Sequence, residues 1–117
     1  MNWTVVVDER MEEWLNDIPK DIKARIINII ELLIEHGPQN VRAPYVKHIE
    51  GKLFEIRAKG KDGIARVFYF TIKDRRIVLL HGFIKKTQKT PRKELEKAVL
   101  RMKEIMTAEA NKPRKDA

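Results

Sequence analysis

The amino-acid sequence predicts an α+β domain with the element order β-α-α-β-β-β-α, and three observations carry that reading. An apolar stripe with helical period runs through residues 22–33, and strand-like runs joined by short turns fill residues 52–84. A second helical stripe follows the proline at position 91. An antiparallel sheet of three to four strands, with two N-terminal helices and one C-terminal helix laid against it, buries both stripes.

Residues 3–7 include Thr4, Val5, Val6 and Val7. This short β-branched run reads as a first strand that can join the sheet at an edge. In residues 8–16, Met11, Trp14 and Leu15 recur at helical spacing behind Asp8, a residue suited to capping. Pro19 fits the first turn of a second helix, whose stripe is Ile22, Ile26, Ile29, Ile30 and Leu33, widened by Ile27 and Ile34. Gly37 and Pro38 end it, since glycine takes the left-handed closing conformation and proline cannot continue the helix. Trp3 and Trp14 are assigned to the core.

Residues 39–48 show no period and contain Pro44, which reads as a loop. In residues 52–58, Phe54, Ile56 and Ala58 alternate with Leu53, Glu55 and Arg57, the pattern of a strand with two distinct faces. The turn Gly60-Lys61-Asp62-Gly63 leads into residues 64–72, where Phe68, Phe70 and Ile72 share a face with Arg66. Asp74 and Arg75 turn the chain into residues 77–84, apolar at nearly every position, as in a strand covered on both sides. Thr90 is read as the N-cap of the last helix, with Leu95, Ala98, Val99, Met102 and Ile105 as its apolar stripe. Residues 1–110 form one expected domain, and residues 111–117 a polar, frayed tail.

The chain has 117 residues, a hydrophobic fraction of 43% and no cysteine, which excludes disulfides and thiolate metal sites. Asp8, Glu9 and Arg10 precede any long apolar run, so no secretory leader, no membrane association and a cytoplasmic location are expected. The net charge of +8 is concentrated in residues 42–76 and 85–103. Such a surface attracts polyanions through counterion release, which makes nucleic acid the first partner to consider. A solvated charged face, or a docking face for an acidic protein, is the alternative reading of the same residues.

The informative stretch is residues 79–91, where a buried strand runs into the cationic loop around Lys85, Lys86 and Lys89 and then into a helix N-terminus. Ammonium groups beside free backbone N–H groups make a phosphate trap on a rigid support. Arg57 and Arg66, on neighbouring strands, can offer planar guanidinium groups to the same anion. The competing structural reading is a solubilising loop with salt-bridged strand ends. His81, embedded among Leu79, Leu80 and Phe83, reads as a packed, hydrogen-bonded strand histidine. No cofactor and no metal site is expected, because no set of histidines or carboxylates falls at ligand spacing.

The strings Leu53-Phe54-Glu55-Ile56-Arg57, Ala65-Arg66-Val67-Phe68-Tyr69-Phe70 and residues 78–98 closely resemble the phage-derived, HigB-like branch of the RelE/ParE toxin superfamily. The resemblance implies a small RelE-like domain with a concave basic face. It implies the toxin of a type II toxin-antitoxin system, an endoribonuclease that cleaves mRNA on the ribosome and inhibits translation. It also implies a HigA-like helix-turn-helix antitoxin as partner. The alternative within this fold is a toxin, like the ParE branch, that poisons DNA gyrase.

Carried over from the motif, Arg57 and Arg66 grip the phosphate, while Lys85 and Lys86 stabilise the transition state or transfer protons. Such chemistry needs no metal: the 2′-hydroxyl attacks, and cationic side chains balance the added charge. Lys47, His48, Lys52, Tyr69 and Lys89 are the RNA-binding candidates, with Tyr69 able to stack on a base or pack in the sheet, and Tyr45 a further stacking candidate. One departure stands out. Nucleases of this superfamily often carry a late Tyr or His for proton transfer, and no such residue follows Pro91.

Overall fold

The computed structural model describes residues 3–85 and 89–113. Its strands are β1 (Thr4–Val7), β2 (Val46–Glu50), β3 (Leu53–Gly60), β4 (Gly63–Ile72) and β5 (Arg76–Lys85), and its α-helices are α1 (Glu12–Asp17), α2 (Lys20–His36) and α3 (Arg92–Ala110). The strands form one five-stranded sheet in the order β1-β5-β4-β3-β2. Turns of a few residues join β2 through β5 into an antiparallel meander, whereas β1 lies parallel to β5, with Val5 opposite Ile77. The parallel pairing is possible because two helices intervene before the chain returns to the sheet.

The sheet has one strand more than the upper expectation of four. The addition is β2, which begins in the stretch read as a loop and runs two residues past it. Pro44 lies just before it, and its polar residues Lys47, His48 and Glu50 are exposed. An outer strand of this kind shows no strong apolar alternation, because it buries little.

The two sheet faces carry separate cores. On one, Ile22, Ile26, Ile29 and Leu33 of α2 pack with Ile56, Ala58, Val67, Tyr69, Ile77 and Leu79. Trp3 and Trp14 pack at the margin of this core. Ile27, expected to widen the helical stripe, is 45% exposed instead. On the other face, Leu53, Phe68, Phe70, Val78, Leu80 and Phe83 pack against Ala98, with Leu95, Val99, Met102 and Ile105 completing the contact of α3.

A register shift interrupts the pairing of β4 with β5: Phe68 opposes His81 and Tyr69 opposes Leu79, leaving Leu80 as the extra residue. The bulge puts Leu80 into the α3-side core with Val78. It also frees the Leu80 carbonyl for Arg101 Nη1 of α3, which donates to it at 2.9 Å. The bulge and the helix are thereby fixed against each other. Beyond it, His81, Phe83 and Lys85 follow at alternate positions toward the uncovered end of this face.

Candidate functional site

The candidate site occupies the end of the α3-side sheet face where α3 begins. Arg57 and Arg66 are direct register partners across β3 and β4, and Arg66 is in turn opposite Phe83 of β5. Period-two alternation places Glu55, Arg57, Arg66, His81, Phe83 and Lys85 on this one face. Lys47 of β2 stands opposite Glu55 and extends the same face toward the outer strand.

The two arginines have different surroundings. Arg66 is 1% exposed, and its Nη1 donates to Glu55 Oε1 at 2.7 Å. Glu55 itself is fully buried; its Oε1 lies 3.6 Å from Arg57 Nε, and its Oε2 accepts from Thr90 Oγ1 at 3.2 Å. Arg57 keeps 28% of its side-chain surface open to solvent. One carboxylate thus holds both guanidinium groups, the inner one sealed and the outer one at the surface.

This geometry corrects the expectation that both arginines grip phosphate directly. Arg66 lies beneath the surface because Phe68 and Phe83 flank it on the sheet and Glu55 neutralises it, so it supports Arg57 from within. Thr90 is likewise corrected. Its hydroxyl serves Glu55, and the backbone position capping α3 belongs to Pro91, which leaves the helix without a side-chain cap.

Lys85 ends β5 half-buried, opposite Ile64, and Lys89 is exposed in the segment entering α3. Lys86 lies outside the described residues. His81 is 9% exposed, and its Nε2 meets Glu94 Oε1 at 2.7 Å. Burial pushes its proton affinity below the ordinary imidazole value, and Arg101 and Lys97 push the same way, against the opposing pull of Glu94. A neutral ring facing a carboxylate carries its proton on Nε2. His81 is therefore a packed, bonded strand residue between Phe68 and Phe83.

Three RNA-binding candidates are not brought to this site. Tyr69 is 0% exposed on the α2 side of the sheet, stacked on Phe54 with ring centroids 5.7 Å apart, so it has no face to offer a base. Its hydroxyl is buried among apolar groups, which pushes its proton affinity up. His48 lies in a strand rather than a loop, against Phe54 on that same opposite face, and its Nε2 is 2.8 Å from the Gly51 carbonyl. Lys52 sits in the turn before β3, beside a groove lined by Met106 and Glu109 near the far end of α3. At about 3.3 Å per strand residue, it is roughly 17 Å along the strand from Arg57.

Residues 13–103 match the family of phage-derived proteins described as Gp49-like (DUF891). The chain belongs to that family. Among solved structures, it is similar to a double arginine-to-alanine mutant of the Escherichia coli toxin RelE in the free state. The TM-score is 0.61 at 13% identity, over 87% of this chain and 99% of that one. It is also similar to a chain of the archaeal RelE–RelB complex from Pyrococcus horikoshii OT3, with a TM-score of 0.55 at 26% identity over 77% of this chain and 100% of that one. No curated protein matches the chain. The Gp49-like chain thus has the fold of RelE toxins, and the resemblance read from its sequence motifs holds at the level of superfamily and architecture.

Glu55, the buried carboxylate that joins the two arginines, is the residue of this cluster that sequence reasoning missed. Its place among Leu53 and Arg57 on the second face of β3 was legible, but its burial was not. A signal existed in the pairing of one acidic residue with two arginines on facing strands, which a buried carboxylate requires.

Proposed function

We propose that this Gp49-like protein is the toxin of a type II toxin-antitoxin pair, a HigB-like endoribonuclease that cleaves mRNA on translating ribosomes in the cytoplasm. The observation that supports this most is the partly exposed Arg57, braced by Glu55 and Arg66, on the same sheet face as Lys85 in a RelE-type fold. Arg57 grips the scissile phosphate, and Lys85 and Lys86 neutralise charge that builds on it. Lys47 and Lys89 hold flanking phosphates. A HigA-like helix-turn-helix antitoxin covers the cationic face when the toxin is inactive, a reading supported by the presence of RelB with the archaeal RelE.

The reaction needs no metal in this reading. The RNA 2′-oxygen attacks phosphorus and gives up its proton to a base, the 5′-oxygen leaves and takes up a proton, and a 2′,3′-cyclic phosphate remains. Cationic groups fixed before the reaction stabilise the dianionic phosphorane without reorganising. The lysines of the loop are the proton carriers in this reading.

The test is induction of the wild type and of R57A/K85A in a bacterial host, with mapping of mRNA ends. The wild type is expected to arrest growth and leave ends bearing 2′,3′-cyclic phosphate, and the folded double variant to do neither. Full toxicity of the folded variant would remove the site assignment. Intact transcripts with accumulating broken DNA would replace the nuclease by a gyrase poison of the same fold.

A further inference from the structure

A cleft of about 470 Å³ lies where the free edge of β3 meets α2, lined by Arg25, Asn28, Leu32, Pro44, Tyr45, Arg57 and Lys59 among others. Every ionisable residue in that lining except Tyr45 is a cation: Arg25, Arg57 and Lys59. The acidic residue one turn earlier on α2, Asp21, is engaged elsewhere, its carboxylate accepting from the Lys61 backbone N–H at 2.9 Å. Tyr45 is 46% exposed and follows Pro44, so a flat aromatic face stands open beside a rigid ring.

Tyr45 is also mechanically tied to the site described above. Its carbonyl accepts from the Arg57 N–H at 2.8 Å, the last cross-strand bond before the edge of β3 becomes free. This bond fixes the backbone of Tyr45 directly beside that of Arg57 at the strand edge. Arg57 borders both the sheet-face site and the cleft, so the two surfaces are continuous around the strand edge.

We propose that this cleft is a second RNA subsite, which takes the single-stranded nucleotide next to the scissile phosphate. Its base stacks on Tyr45 against Pro44, and its phosphate lies between Arg25 and Lys59. An exposed aromatic ring beside Arg25 and Lys59, with no carboxylate among the described lining residues, is the combination that binds single strands without reading sequence. An acidic extended peptide is the competing occupant. The cleft offers it little pairing, because Arg57 is bonded to Tyr45 and Lys61 to Asp21, leaving Lys59 as the one residue between them at the edge. The subsite rests on the RNA-cleaving reading.

The experiment measures binding of a 2′-O-methyl oligoribonucleotide, about eight nucleotides long, to the full chain by fluorescence anisotropy at several salt concentrations. Y45A is expected to weaken binding by about 5- to 100-fold, the range for loss of one stacked base, and Y45F to restore it. R25Q and K59Q are each expected to lower the slope of log affinity against log salt by about one. Thermal melts of these exposed-site variants establish that they are folded. Unchanged affinity and slope in all of them would overturn the subsite, as would Tyr45-dependent capture of a Glu-rich peptide that the oligonucleotide fails to displace. The two readings fail separately. Cleavage that needs Arg57 and Lys85 but not Tyr45 removes the subsite alone, whereas Tyr45-dependent binding without any cleavage in cells removes the nuclease alone.

Discussion

Glu55 and Arg66 form an ion pair at 2.7 Å in which 0% and 2% of the side-chain surfaces remain exposed. Taking both charges out of water is costly, and their attraction offsets the cost only while both are present. The same carboxylate reaches Arg57 and Thr90. The pair therefore links the strand that presents Arg57 to the segment that begins α3, and its value lies in position more than in stability.

That distinction can be measured. Removing one partner, as in E55Q or R66A, strands a buried charge or its donors and is expected to cost about 3–5 kcal/mol. The double variant E55L/R66M, set between Phe68 and Phe83, is expected to recover most of that loss. It should still fail to arrest growth, because Arg57 has lost its brace. Urea unfolding of the singles and the double gives the cycle; additive losses would show that the two side chains act independently.

Gly82 lies beneath the Trp14 ring, and a Cβ built there would come within 2.6 Å of Trp14 Cη2. A ring wedged between α1 and β5 has no flexible end to swing away. G82A is expected to lower stability by about 1–3 kcal/mol through overpacking. Pairing it with W14L is expected to relieve part of the loss, which thermal melts of both variants would show. A neutral G82A would mean that α1 moves off the sheet at little cost.

Periodicity made much of this architecture legible. Ile22, Ile26, Ile29 and Leu33 mark the buried face of α2 by spacing alone, and Gly37, with φ of 85°, closes the helix in the left-handed region that glycine tolerates. The alternation through β3 separated Ile56 and Ala58 from Glu55 and Arg57 correctly. Other features left no such trace. The strand β2 has Val46 and Ile49 among exposed polar residues, so its pairing is stabilised by the ladder rather than by a face. The parallel contact of β1 with β5 has no turn to announce it. Tyr69 and Arg66 could each be buried or exposed by pattern, and their burial follows from the two helices covering opposite sheet faces. The site suffered most from this, because it depends on which charges are covered.

The bulge offers a third measurement. Leu80 is fully buried, and its carbonyl, outside the regular ladder, accepts from Arg101 Nη1 at 2.9 Å. R101M keeps much of the apolar stem but removes the donor, leaving a buried carbonyl without this bond. The expected loss is about 1–3 kcal/mol. Amide exchange should rise along α3 more than along α2, since this bond docks α3 onto the sheet. Uniform change across both helices would instead indicate a global loss of stability without local undocking.

The last measurement concerns acid. His81 is held below the ordinary imidazole value of 6.5, first by burial and then by Arg101 and Lys97, and Glu94 at 2.7 Å does not fully compensate. Between pH 6.5 and the lower folded value, the unfolded chain takes up a proton that the folded chain refuses. Stability is therefore complete above pH 6.5 and declines as pH falls below it, by no more than about 1.4 kcal/mol per pH unit for one proton. The carboxyl groups of Asp8, Asp21 and Glu109, all held below their ordinary values by hydrogen bonds, lose their stabilising effect only in more acidic solution, below about pH 4.5. Urea midpoints at pH 7, 6 and 5 are expected to fall in the wild type and to fall less in H81Q. A midpoint that rises on acidification and loses that rise in H81Q would mean that Glu94 outweighs burial, and that the histidine is charged in the folded protein.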